Sequence, residues 1–175
     1  MHPPEFTAHF SLPDEEATVL LGAKLAPFLA PGLVIYLEGD LGAGKTTLAR
    51  ALLRALGHAG PVKSPSYSLV EIYVVSSLYC YHFDFYRFES PEEFVDAGLG
   101  EYFHGDAVCL VEWPDKAAGY VSPADLCFRF SGAANGRQVE GLARSERGAR
   151  CLRNLSRAWQ EDGCFPLPEP PFSSP

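Results

Sequence analysis

Apolar and polar positions alternate along the chain in two rhythms, and these divide it into strands and helices. Phe6–Phe10 predicts a short edge strand. Ala17, Leu20, Leu21, Leu25 and Phe28 share one face of a helix. Ser11 is expected to cap it, Asp14, Glu15 and Glu16 suit its first turn, and Pro27 and Pro31-Gly32 end it. Leu33–Leu37 is a continuous apolar run suited to a buried strand. Leu48, Ala49, Leu52, Leu53 and Leu56 then recur at helical spacing, with Gly57 placed for a C-cap. Leu69–Val75 and Leu78–Phe85 read as a hairpin turning at Ser76-Ser77. A short helix from Pro91 to Ala97 is expected to be capped by Ser90, and Ala107–Val111 to form another buried strand. Leu126–Ser131 and Arg137–Arg144 alternate as strands around a turn at Ala133–Gly136. Ser145 opens a last helix with Ala149, Leu152, Leu155 and Trp159 on one side and Arg147, Arg150, Arg153 and Arg157 on the other.

Between the second strand and second helix lies Gly39-Asp40-Leu41-Gly42-Ala43-Gly44-Lys45-Thr46, which matches the phosphate-binding pattern G-x-x-x-x-G-K-[ST]. Glycines let successive backbone N–H groups turn toward an anion. Lys45 supplies a mobile charge for the outer phosphates, Thr46 a hydroxyl for Mg²⁺, and the helix its positive end. A plain glycine turn is the alternative, but strand, loop and helix come in the required order.

The Gly-, Pro- and Ser-rich stretch from Gly57 to Ser68 is a loop, either a nucleotide-sensing switch or a simple connector. Asp84 stands among aromatics, where a carboxylate needs a partner such as a metal or its waters, unless it faces solvent. Glu112 ends a core strand, where phosphate-loop folds place a metal contact and other folds an ordinary acid.

Composition narrows the classes. A length of 175 residues suits one domain, expected over 1–162, with a five-proline disordered tail over 163–175. No apolar run approaches the roughly 20 residues of a membrane span, and the N-terminus does not read as a signal peptide, which favours the cytoplasm. Five scattered cysteines without a C-x-x-C pair fit buried thiols. The net charge of −8 argues against a surface wholly given to nucleic acid. Its distribution is uneven, however, with seven arginines between Arg129 and Arg157 against Glu140 and Glu146. The arginine stripe of the last helix is either a solvated face or a contact for an acidic partner or RNA backbone.

Four motifs taken together resemble one family: Gly-Asp-Leu-Gly-Ala-Gly-Lys-Thr-Thr (39–47), Val-Lys-Ser-Pro-Ser-Tyr-Ser (62–68), His-Phe-Asp-Phe-Tyr-Arg (82–87) and Glu-Trp-Pro (112–114). The set, running from about Ser11 to Arg144, is similar to TsaE, also called YjeE, the small ATPase of bacterial tRNA threonylcarbamoyladenosine biosynthesis. The resemblance implies an α/β, P-loop NTPase-like three-layer fold, with a mainly parallel central sheet and antiparallel additions. It implies ATP and Mg²⁺ as cofactors, and TsaD and TsaB as partners in the cytoplasm. That pair transfers the threonylcarbamoyl group to tRNA, and the ATPase, weak alone, resets the complex between turnovers; tRNA is met indirectly through the complex.

Carried onto this sequence, Gly42, Ala43, Gly44, Lys45, Thr46 and Thr47 would hold the phosphates, and Thr46 and Glu112 the metal. Lys45, Asp84 and Glu112 would be catalytic, with Asp84 or Glu112 orienting the attacking water. Glu15 and Arg137 would contact the nucleotide, and Trp113 would pack on the site. Ser66 fills a switch position where the family usually has threonine, and Ser68 is a second such change. Two rival readings are a small-molecule kinase built on the same loop and an ATP-gated binding module that does not use hydrolysis.

Overall fold

The computed structural model describes residues 6–75, 77–133 and 136–161. Seven strands form one sheet in the order β1-β7-β6-β2-β5-β4-β3. They are β1 (Thr7–Leu12), β2 (Val34–Glu38), β3 (Val70–Val75), β4 (Leu78–Asp84), β5 (Val108–Glu112), β6 (Leu126–Ala133) and β7 (Gly136–Ala143). The helices are α1 (Glu15–Leu25), α2 (Lys45–Ala55), α3 (Glu93–Asp96) and α4 (Glu146–Glu161).

The α/β class is as expected, but the sheet is more evenly mixed than the mainly parallel one anticipated. β4, β5, β2 and β6 run parallel to one another. β3 and β7 join them antiparallel, and β1 adds antiparallel to β7. The physical reason lies in the connections. β3–β4 and β6–β7 are sequence neighbours joined tightly, and a tight connection can only reverse the chain. The turn residues Ser76, Ala134 and Asn135, and the proline-rich tail, lie outside the described residues.

Each face of the sheet carries its own core. Leu33, Ile35 and Leu37 point to one side, where they meet Leu21, Leu48, Leu52, Leu152 and Leu155 from α1, α2 and α4. Val34, Phe83, Cys109 and Val111 point to the other, against Phe94 of α3 and Leu99 of the 3-10 turn Leu99–Phe103. Strand side chains alternate faces, so continuous apolar runs are what a sheet covered on both sides requires. Cys80, Cys109, Cys127 and Cys151 are free and buried, and burial pushes the Cys80 thiol up to about 11.

Several local expectations are corrected. Ser11 does not cap α1. It lies within β1, paired with Gln138, because the strand continues to the fully buried Leu12. Asp14 is the cap, its Oδ1 accepting from Ala17 N at 2.8 Å. Ser90 does not cap α3, which begins at Glu93; Glu93 reaches back instead to accept from Ser90 N at 3.0 Å. The end of α2 is as expected. Gly57 N donates to Arg54 O and His58 N to Leu53 O, each at 3.0 Å, the paired bonds of a Schellman stop. Ser145 opens α4 by accepting from Gly148 N at 3.0 Å.

Candidate active site

The site forms where β4, β5 and β2 end side by side. Parallel pairing puts Asp84 opposite Glu112, and Leu37, last but one in β2, opposite Glu112 on the other side. Ligands of open α/β sheets bind at such carboxyl ends. From β2 the chain enters the glycine loop. Gly42 has φ +74 and Gly44 φ +109, and Gly44 is the residue from which α2 starts. A side chain at either position would be strained. No side chain caps α2, so the amides of its first turn stay available to an anion.

Thr46 is in that first turn, and its Oγ1 lies 3.1 Å from both Glu112 Oε1 and Glu112 Oε2. Glu112 is buried, and its Oε2 also meets His82 Nε2 at 2.6 Å. Asp84 is buried beside them. Its Oδ1 accepts from Tyr86 N at 2.9 Å and its Oδ2 from Ser64 Oγ at 3.0 Å. Burial raises the Asp84 carboxyl above the ordinary range, and the neighbouring Glu112 charge adds to the rise. The Tyr86 and Ser64 hydrogen bonds oppose it without cancelling it.

Lys45 is buried too. Its ammonium donates to Gly39 O and to Asp40 O, the latter at 3.0 Å, and lies 4.2 Å from the centre of the Trp113 ring. Burial lowers its pKa more than the charges of Glu112, Asp84 and Asp40 raise it. Trp113 takes a left-handed backbone, φ 58, directly after β5. Such a conformation costs about 1–3 kcal/mol for a non-glycine residue. Here it turns the chain so that the indole covers Lys45 and meets Tyr86, ring centres 5.1 Å apart.

All twelve residues singled out from the sequence line one cavity of about 810 Å³. Glu15 and Arg137 border it on the side of α1 and β7, Gly42 to Thr47 form its floor, and Ser66, Asp84, Glu112 and Trp113 lie toward the ends of β4 and β5. The structure also brings further residues to the site. Ser64 of the same loop reaches Asp84. His82 holds Glu112, and its signal was its place two residues before Asp84, on the same strand face. Arg87 and Thr18 line the cavity, and the Arg87 guanidinium lies 3.9 Å from the Tyr67 ring centre, which ties the Ser-rich loop to the chain after β4. Ser68 bonds Glu71 instead, at 3.1 Å.

Among the described residues no group of three or more His, Cys, Asp or Glu side chains is arranged to cage a metal. One carboxylate and one hydroxyl beside a phosphate loop fit Mg²⁺, which keeps its waters and binds chiefly through substrate phosphates.

A family model described as threonylcarbamoyl adenosine biosynthesis protein TsaE matches residues 12–139. The chain belongs to the TsaE family. The matched span contains all twelve site residues and stops before α4. The Haemophilus influenzae tRNA threonylcarbamoyladenosine biosynthesis protein TsaE is 39% identical over 150 residues, covering 83% of this chain and 95% of its own. Its Bacillus subtilis namesake is 47% identical over 98 residues, covering 56% and 61%. A crystal structure of Bacillus subtilis YdiB agrees with a TM-score of 0.72 at 32% identity, covering 88% of this chain and 95% of that one. No helix among the described residues of this TsaE family member is long and apolar enough to cross a membrane.

Proposed function

We propose that this chain is a P-loop ATPase that hydrolyses ATP to ADP and phosphate in the cytoplasm. On this reading it works with TsaD and TsaB during threonylcarbamoyladenosine modification of tRNA and meets tRNA through that complex. The observation that carries the reading is Thr46 Oγ1, in the first turn after a glycine loop, facing both carboxylate oxygens of Glu112 at 3.1 Å. A hydroxyl and a strand-end acid so placed are the two protein contacts a nucleotide-bound Mg²⁺ requires in this class of site.

The roles follow from the side chains. The backbone of Gly42 to Thr47 and the start of α2 would cradle the phosphates. Lys45 would leave the carbonyls of Gly39 and Asp40 to pair with the outer phosphates. Thr46 and Glu112 would hold Mg²⁺, which when bound offsets phosphate charge as the bond breaks. Asp84, fixed by Tyr86 N and Ser64, would orient the attacking water. Glu15, Ser66, Trp113 and Arg137, all lining the cavity, would complete the nucleotide contacts. Phosphate release should appear when ATP, Mg²⁺, TsaD and TsaB are combined with this chain, and Lys45→Ala should abolish it. Release that persists in the Lys45→Ala variant overturns the reading, and phosphate arriving on a small acceptor indicates a kinase instead.

A further inference from the structure

Helix α4 lies beyond the family match and has two unlike faces. Ala149, Leu152, Leu155 and Trp159 are buried. The opposite face carries Arg150, Arg153 and Arg157, all exposed. Neighbours on this face are three and four residues apart, one helical turn, and like charges at that spacing destabilise a helix. Carboxylates would relieve the repulsion, yet among the described residues none of the three arginines forms an ion pair or hydrogen bond. Arg147 is different. It donates to Pro31 O at 3.1 Å and Gly32 O at 3.2 Å and reaches Asp125 at 3.4 Å, so it fastens α4 to the start of β2.

The three guanidiniums border a shallow cavity of about 400 Å³, in which Asn154 adds a neutral polar group and Glu146 a single acid. Arg153 is also oriented, its guanidinium 5.3 Å from the Phe6 ring centre. No large apolar side chain of α4 is exposed; those that are belong to other elements, such as Ile72, Val74 and Tyr79 of the β3–β4 hairpin. This absence selects the partner. A protein interface is anchored by buried apolar or aromatic groups, whereas a nucleic-acid backbone is held by charge and by guanidinium forks on phosphate oxygens. Seven residues of helix span about 10 Å, over which a strand of a duplex advances by about three phosphates.

We propose that the Arg150, Arg153 and Arg157 face of α4 binds the sugar–phosphate backbone of RNA, a direct contact in addition to the meeting with tRNA through the complex that the proposed function describes. The site is independent of the nucleotide cavity and carries no sequence preference of its own, because it reads phosphate and not bases. On a chain of net charge −8 the contact is local, and its affinity falls with salt.

The test uses the full chain and a fluorescently labelled, unmodified tRNA transcript, with anisotropy read across a salt series. Three phosphate contacts predict a slope of log affinity against log salt of about −2 to −3. The double variant Arg150→Glu/Arg157→Glu should bind at least about tenfold more weakly and flatten the slope by about 1.5. Arg150→Lys/Arg157→Lys should keep the slope. Unchanged melting of both variants separates binding from folding, and Arg150→Gln/Arg157→Gln replaces the reversal should that one melt early. Equal affinity and slope in wild type and reversed variant overturn the proposal, as does the absence of salt-dependent binding. Polyglutamate binding as tightly as RNA of equal charge also overturns it, in favour of an acidic protein partner.

Discussion

His82 Nε2 lies 2.6 Å from Glu112 Oε2, and both side chains are buried. A carboxylate can only accept, so against the carboxylate form of Glu112 it is Nε2 that carries the hydrogen. Glu112 is thus held from β4 by His82 and from α2 by Thr46, while β5 carries its backbone. Two-sided support of this kind fixes the direction in which a carboxylate presents its oxygens to a metal.

Replacing His82 should therefore be felt at the metal. His82→Leu should weaken Mg²⁺-dependent nucleotide binding by about 10–100-fold, the usual cost of losing a group that orients a metal ligand. His82→Gln, whose amide can still donate from a similar position, should restore most of it. Calorimetry with and without Mg²⁺ reads the effect, and equal Mg²⁺ dependence in the leucine variant and wild type would show that His82 has no such role.

Asp84 should destabilise the fold as pH rises. Its folded pKa lies above the ordinary 3.8, chiefly through burial, so folding favours the protonated carboxyl. Below the ordinary value both folded and unfolded chains hold the proton, and the penalty is absent. It grows as pH climbs toward the folded pKa and is complete above it. Asp84→Asn should then melt at the same temperature as wild type in acid and higher at neutral pH, each kcal/mol appearing as about 2–4 °C. A gain that shrank as pH rose would contradict the burial argument.

Gly148 should tolerate no side chain. A Cβ there would fall 1.8 Å from Asp125 O. Alanine ordinarily favours a helix by about 1 kcal/mol over glycine, but overpacking typically costs 1–3 kcal/mol or more. Asp125 cannot easily yield, because its carboxylate accepts from Val34 N at 2.9 Å and from Ser145 Oγ at 2.7 Å. Gly148→Ala should lower the denaturation midpoint by about 1–3 kcal/mol equivalent. A stabilised variant in urea titration would show that the helix moves freely at this contact.

Trp113 should report on the nucleotide. Its ring centre lies 4.2 Å from the Lys45 ammonium, while Trp159, packed edge-on against Phe10 at 5.8 Å, is remote from the cavity. Moving Lys45 toward a phosphate removes a cation from the Trp113 face, a contact generally worth about 0.5–2 kcal/mol. Tryptophan emission should change on adding ATP, and Trp113→Phe should abolish that change. A response surviving in the phenylalanine variant would assign it to Trp159.

Local chemistry alone determined much of this protein. The glycine loop between strand and helix, the buried and charged faces of α4, the stop at Gly57 and the strand-end acids Asp84 and Glu112 were readable, because each rests on residue type and on spacing within a few positions, whereas Glu15, Trp113 and Arg137 were named only through the family resemblance. Only tertiary structure decided the rest. Whether Ser11 ends a strand or caps a helix depended on β1 finding β7, and the even mixture of parallel and antiparallel strands depended on which hairpins flank the core. The hydrogen bond from Ser64 to Asp84 and the grip of His82 on Glu112 arise where segments 20 and 30 residues apart meet. Strand register is set by burial across the whole sheet, and a slip of one residue would turn Asp84 and His82 to the opposite face. The sequence can name such groups, but their partners exist only once the core has closed around them.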